Sequence, residues 1–173
     1  MTLSDATRLI SSNKISKEEG QRWADLGCGN GLFSKALINI LPANSTIYAV
    51  DQKPLAISDP RIRFTQQNFE KETLPGPLLN GIMMINSLHY IKEKSSLLIR
   101  LRRKLLPEGV FIIGEYEMTN SNPWVPYPVP FLTASSLFRD AGFDTIEKIH
   151  EQASVLNDTM IYSAFIYNSE PLQ

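Results

Sequence analysis

Short apolar runs at 22–26, 46–50, 62–66, 81–85 and 110–117 punctuate the chain, each bounded by glycine, proline or polar residues and each too brief for a helix. They read as buried strands. Between several of them the apolar positions recur at helical spacing instead. Residues 2–12 put Leu3, Ala6, Leu9 and Ile10 on one face, with Thr2 or Ser4 as a cap. A helix is predicted from Leu32 to about Leu41. Another is predicted over 92–106, with Leu97, Leu98, Leu101 and Leu105 facing inward and Arg100, Arg102, Arg103 and Lys104 outward. Thr133 is expected to cap a further helix over 134–141, closed by Gly142. Strands alternating with helices imply an α/β fold with a mostly parallel sheet.

Two connections are too broken for full crossover helices. Residues 52–60 contain Pro54 and Pro60 and have room for a turn or two, and 70–79, with Pro75-Gly76-Pro77, for little more than one helical turn. The last strands, 145–153 and 160–168, are joined by L-N-D-T. That link cannot hold a crossover helix and predicts an antiparallel hairpin. The chain reads as a single domain, 1–173, with its core over 22–168.

The densest chemistry lies in W-A-D-L-G-C-G-N-G, followed twenty residues after Gly31 by Asp51 at the end of the next strand. Gly27 suits a tight turn out of the strand, and Gly29, lacking a Cβ, lets a ligand lie against bare backbone. Gly31 is expected to bring the following helix close to the sheet. The Asp51 carboxylate can accept hydrogen bonds from a vicinal diol, so the predicted ligand is a ribonucleoside. A dinucleotide turn, G-x-G-x-x-G, would need glycine at position 32, where Leu32 stands, which disfavours a nicotinamide-dependent oxidoreductase.

D-L-G-C-G-N-G resembles motif I of the class I S-adenosylmethionine-dependent methyltransferases, and Y-A-V-D resembles their ribose-binding strand. N-S-L-H-Y-I resembles their motif IV, although Asn80 or Gly81 stands where an Asp often opens that strand. L-P-E-G resembles their L-x-P-G-G, with Glu108 in place of the first glycine. The resemblance covers 22–168 and implies a Rossmann-like, doubly wound sheet of seven strands in the order 3-2-1-4-5-7-6, mostly parallel, with the last strand antiparallel. It implies S-adenosyl-L-methionine as cofactor. Asp25 and the backbone of Gly27, Cys28, Gly29 and Gly31 would hold its methionine part, and Asp51 the ribose, with Gln52 beside it. Asn68 would meet the adenine amine through its carbonyl oxygen, and Phe69 would add backbone and ring contact; an ordinary turn asparagine is the alternative at position 68. Relatives often carry a long N-terminal lid, and the roughly 21 residues before the first strand imply a sparse one, leaving the pocket open or completed by another chain.

Parallel sheets bind ligands beyond the carboxyl ends of their strands, which puts Asn86, Ser87, His89 and Tyr90 near a methyl acceptor. His89 is the candidate base, because an imidazole exchanges protons near neutral pH; a structural histidine is the competing reading. Asn86 is expected beside the methyl, and Glu115 and Tyr116 are the other polar candidates at that edge, whereas His150 lies too far along its strand. The loop 117–131 carries four prolines between 123 and 130 that enforce extended backbone. Trp124, Tyr127 and Phe131 ride on it as the expected wall of the acceptor pocket, with an SH3-type ligand or a plain crossover as alternatives.

Composition changes this picture little. With 17 basic and 18 acidic side chains in 173 residues, no field favours nucleic acid or an anionic membrane, and the cations of 92–106 read as a solvated helix face. The lone Cys28 suits a reducing compartment, by default the cytoplasm. No basic-then-apolar leader and no apolar run approaching the ~20 residues of a membrane span is present. No metal site is expected, and oligomeric state is left open. The expected activity is methyl transfer to a small molecule, with a non-catalytic cofactor-binding partner subunit as the alternative.

Overall fold

The computed structural model describes residues 1–154 and 159–169. Its strands are β1 (Arg22–Leu26), β2 (Thr46–Asp51), β3 (Ile62–Gln66), β4 (Leu79–Ile85), β5 (Leu105–Tyr116), β6 (Thr145–Ala153) and β7 (Met160–Tyr167). They form one sheet in the order β3-β2-β1-β4-β5-β7-β6, parallel except for β7, which runs antiparallel to both β5 and β6. The chain begins mid-sheet, winds out to β3 and returns to β4 beside β1. The switch point between β1 and β4 is therefore where the carboxyl-end crevice opens. Of the expected hairpin link L-N-D-T, residues 156–158 lie outside the described residues.

Side chains alternate between two apolar layers, as the two-residue period of a strand demands. Ala24, Ile82, Met84, Phe111 and Ile113 face one layer, where they meet Leu97, Leu98 and Leu101 of α3 (Lys94–Arg102) and Phe138 of α4 (Phe131–Asp140). Trp23, Ile47, Met83, Ile85 and Ile112 face the other, against Ala6 and Ile10 of α1 (Leu3–Ile10) and Ala36, Leu37 and Ile38 of α2 (Leu32–Ile40). Burial on both faces explains why these strands read as continuous apolar runs. Trp23 pairs across the ladder with Gly81, and a Cβ on Gly81 would lie 2.4 Å from the indole ring, so the strand needs glycine there.

Some element ends follow expectation and others do not. At the start, Thr2 caps α1 in a reciprocal box with Asp5, but α4 is capped by Pro130, not Thr133. Its leading N–H, from Phe131, goes to the Glu117 carboxylate 3.2 Å away, which removes the need for a hydroxyl cap. The predicted helix 92–106 spans only 94–102, because Leu105 leaves it to pair with Leu79 and starts β5 five residues early. A 3₁₀ turn, Leu88–Tyr90, follows β4.

The cations of 92–106 are not all solvated. Arg100 donates to the carbonyls of Phe69 (2.7 Å) and Glu70 (2.6 Å), and Lys104 to that of Gly76 (3.0 Å). They bind the irregular segment that stands where a crossover helix is missing between β3 and β4, and whose carbonyls lack helical partners. Arg102 lies over the Phe143 ring, leaving Arg103 exposed. Among the described residues no helix is long and apolar enough to cross a membrane, and no three His, Cys, Asp or Glu side chains cluster to hold a metal.

Candidate active site

Leaving β1, the backbone turns through Gly27, Gly29 and Gly31 with φ of 79°, 53° and 76°, the left-handed region that glycine enters without penalty. The turn is latched to β2, since Gly27 and Cys28 both donate to the Val50 carbonyl, at 2.8 and 3.1 Å. A Cβ on Gly27 would lie 2.5 Å from Ser87 Cβ, so the β4 end packs directly against this glycine. A Cβ on Gly31 would meet Leu55 and Ile57 of the segment after Asp51, and not the sheet as expected. Gly29 is different. Nothing lies within 4 Å of where its Cβ would be, which leaves bare backbone open to a ligand.

The Asp51 carboxylate stands at that opening. Its Oδ2 accepts the Gly29 N–H at 2.9 Å and its Oδ1 the Lys53 N–H at 2.9 Å, leaving lone pairs on both oxygens for a diol. Gln52, beside it, is exposed, and its carbonyl accepts from Gln66.

Asp25 does not line this opening. Only 1% exposed, it lies beneath the turn and accepts a 2.5 Å hydrogen bond from the Ser34 hydroxyl, tying β1 to α2. Burial pushes its carboxyl up to about 7, with Asp51's charge adding to the rise and Ser34 opposing it. The expected direct contact with the methionine part is thus corrected to a support from below. The Cys28 thiol is likewise buried and pushed up to about 12 by that burial and by the two carboxylates, so this residue offers backbone and no reactive sulfur. Asn68 Oδ1 accepts the Glu70 N–H at 3.1 Å, the local turn bond anticipated as the alternative. The Phe69 ring is packed into the core beneath α3, so the expected ring contact with adenine is withdrawn.

At the ends of β4 and β5 a second group of side chains converges. Asn86 has φ 51°, uncommon for a residue with a side chain, and its buried Oδ1 has no hydrogen-bond partner among the described residues. His89, 2% exposed, faces Glu115 Oε2 through Nδ1 at 2.6 Å. Glu115 is 0% exposed, and its other oxygen accepts the N–H groups of Leu88 (2.8 Å) and His89 (3.2 Å). The two backbone donors keep that oxygen an acceptor; with Glu115 ionised its Oε2 accepts from Nδ1, and a neutral ring then carries its lone pair on Nε2. The sequence pointed to His89 and gave Glu115 only as a polar neighbour.

These groups line a cavity of about 600 Å³ formed by Asn86, His89, Tyr90, Tyr116, Asn122, Trp124 and Val125. A smaller cavity, about 230 Å³, shares Asn86 and Tyr116 and reaches Leu32 and Phe33 at the start of α2. Burial raises the Tyr116 hydroxyl above its ordinary value, and the Glu115 charge adds to this, so it stays protonated as a donor. Trp124 is at the cavity as expected. Tyr127 is not: its N–H donates to the His89 carbonyl at 3.0 Å and its ring sits beside the Lys94 ammonium. Asn122, which sequence reasoning passed over, accepts the N–H groups of Trp124 (2.9 Å) and Val125 (2.8 Å) on its side-chain oxygen. The Asn-Pro pair at 122–123, a turn signal, marks it. His150 bonds the Ser11 carbonyl, far from this group. A groove of about 550 Å³ at the opposite edge of the sheet, lined by Leu78, Ile99, Arg102 and Phe143 among others, contains none of these residues.

Comparison with known proteins agrees with this geometry. No curated protein matches the chain in sequence. Human N-acetylserotonin methyltransferase, solved with its cofactor, superposes with a TM-score of 0.71 at 16% identity, over 96% of this chain and 52% of that one. The 1,6-didemethyltoxoflavin-N1-methyltransferase of Burkholderia thailandensis gives 0.70 at 17% identity, over 97% and 78%. A Haloferax volcanii methyltransferase solved with the activator Trm112 gives 0.70 at 16%, over 96% and 89%. The chain thus spans about half the length of the first of these. These likenesses establish a shared fold, and the model of the methyltransferase domain matches residues 3–148, most of the chain. With the glycine turn and Asp51 at the switch point of a 3-2-1-4-5-7-6 sheet, this chain belongs to the methyltransferase domain family and has the class I Rossmann-like fold of S-adenosylmethionine-dependent methyltransferases.

Proposed function

We propose that this protein transfers a methyl group from S-adenosylmethionine to a small-molecule acceptor. The observation that carries the reading is the Asp51 carboxylate held on the Gly29 N–H at 2.9 Å, beside backbone that no side chain covers. The residues present fit the cofactor. Asp51 would take the ribose hydroxyls, the backbone of Gly27 to Gly31 the methionine part, and Asn68 the adenine edge. The unpartnered Asn86 Oδ1 would accept from the cofactor's ammonium. Bound there, S-adenosylmethionine supplies a methyl on a sulfonium whose departing thioether is neutral and needs no acid.

The protein's own work is then alignment, exclusion of water and removal of a proton from the acceptor. His89 is built for the last of these. Glu115 keeps the proton on Nδ1, so Nε2 can take one from an acceptor in the cavity. Two of the structural neighbours carry small-molecule acceptors in their names, which supports the acceptor class.

Isothermal titration with S-adenosylhomocysteine tests the proposal. Binding in the micromolar range is expected. Asp51→Ala removes hydrogen bonds to a charged group worth about 1.5–3 kcal/mol each, a loss of at least about tenfold in affinity. An unchanged affinity in that variant refutes the assignment.

A second reading, a cofactor-binding subunit without turnover, draws on the open rim, where Trp124 is 74% exposed, and on the neighbour solved with an activator. Slow loss of the cofactor's methyl to a pooled metabolite extract favours the enzyme; binding with no conversion favours the subunit.

A further inference from the structure

We propose that the cavity above β4 and β5 selects a flat aromatic acceptor that carries a ring hydroxyl and no phosphate or carboxylate, stacked against Trp124 with its hydroxyl at His89. The proposal rests on the methyltransferase reading above and narrows its acceptor.

The lining sets the class. Among the described residues, four rings (His89, Tyr90, Tyr116 and Trp124), one valine and two amides make the wall, and no Lys, Arg, Asp or Glu lines it. An acceptor bearing a phosphate or carboxylate would lose its hydration there without a guanidinium, ammonium or helix start to replace it. Glu115 lies behind His89, fully buried, and its charge is already met by three N–H donors. A cavity of about 600 Å³ is within the range of sites for ring-bearing small molecules.

Two of the rings are held out in water. Trp124 is 74% exposed and Tyr90 55%, an apolar surface at the mouth that a flat ligand would cover. The Trp124 segment is nonetheless fixed. Asn122 and Val125 form an antiparallel bridge, the Asn122 side chain holds the Trp124 and Val125 N–H groups, and Tyr127 N–H is tied to the His89 carbonyl. A preformed wall avoids the ordering entropy that a loose loop would lose on binding.

The acidity of the acceptor follows from the base. A phenolic hydroxyl ionises near pH ~10, within reach of an imidazole, whereas a hydroxyl of water-like acidity, about 15.7, is not. His89 Nε2 thus favours a phenol-like hydroxyl over an aliphatic one.

Trp124 is 74% exposed and belongs to no core cluster among the described residues, so it can be replaced without disturbing the packing. Protein saturated with S-adenosylhomocysteine is titrated calorimetrically with 2-naphthol, cyclohexanol and phosphoethanolamine. The expected result is binding of 2-naphthol at least about tenfold tighter than the other two, weakened about tenfold by Trp124→Ala and restored by Trp124→Phe. Equal binding of cyclohexanol or phosphoethanolamine, no binding of 2-naphthol, or no effect of Trp124→Ala overturns the acceptor class while S-adenosylhomocysteine still binds. Failure of S-adenosylhomocysteine itself to bind removes the methyltransferase reading, and the acceptor class falls with it.

Discussion

Glu115→Gln separates a base from a merely packed histidine. Glutamine has the shape of glutamate, so its carbonyl oxygen keeps the Leu88 and His89 backbone donors at 2.8 and 3.2 Å. Its amide nitrogen then occupies the position 2.6 Å from His89 Nδ1 that Oε2 held, and an NH₂ there can only donate. Nδ1 must become the acceptor, the ring proton moves to Nε2, and Nε2 turns from base to donor. A positioned general base contributes on the order of 10²–10⁴ in rate, and transfer to a hydroxyl acceptor should fall by that factor. One charge-assisted hydrogen bond worth about 1.5–3 kcal/mol is lost, but so is a buried charge. Net destabilisation should stay near ~1–2 kcal/mol, a fall of a few degrees in Tm for a chain of this size. S-adenosylhomocysteine affinity should not change, since among the described residues Glu115 bonds Leu88 and His89 and neither Asp51 nor the glycine turn. The chain has two histidines, so ring ¹⁵N spectra resolve the tautomer directly, with His150 as internal reference. A His89 ring that keeps its proton on Nδ1 in Glu115→Gln, or a transfer rate within about threefold of the parent, refutes the dyad.

Gly27 and Gly29 should respond oppositely. Gly27→Ala forces a Cβ to 2.5 Å from Ser87 at φ 79° and should destabilise the fold by more than about 2 kcal/mol in urea unfolding. Gly29→Ala meets no protein atom and should cost only about 1 kcal/mol, yet lower S-adenosylhomocysteine affinity at least about tenfold by standing in the ligand's place; an intact affinity would move the cofactor elsewhere. Asp25 adds a pH dependence of determined sign. Its folded value of about 7 lies above the ordinary 3.8, so its contribution to stability is full below about pH 4 and is lost as pH rises through 7. Three units correspond to about 4 kcal/mol at most. Asp25→Asn, which cannot ionise, should flatten denaturant stability between pH 4 and 8, and parallel curves for the two proteins would count against this account.

Reading the chain alone located β1, β2 and β3 to within a residue, together with the glycine turn and Asp51, because local rules determine them: period, turn chemistry and a terminal acid. The seven-strand order came from motif resemblance, and the sheet has it. Local rules failed where distant partners decide. Thr133 looked like a cap until Glu117, fourteen residues before Phe131, supplied the hydrogen bond, and Leu105 looked helical until Leu79 drew it into β5. Arg100 and Lys104 looked solvated because nothing in the sequence around them shows the carbonyls of Phe69, Glu70 and Gly76 that they bond.

The same division runs through the site. Residue type and spacing alone nominated Asp51, Asn86 and His89. That Asp25 bonds Ser34 beneath the turn, that Phe69 packs into the core and Tyr127 against Lys94, and that Glu115 meets His89, 26 residues away in the chain, depend on which side of a strand or loop meets which neighbour. Chain order carries identity and local conformation. Burial, the direction of a ring nitrogen and the charge beside it exist only once the sheet brings β4 and β5 together.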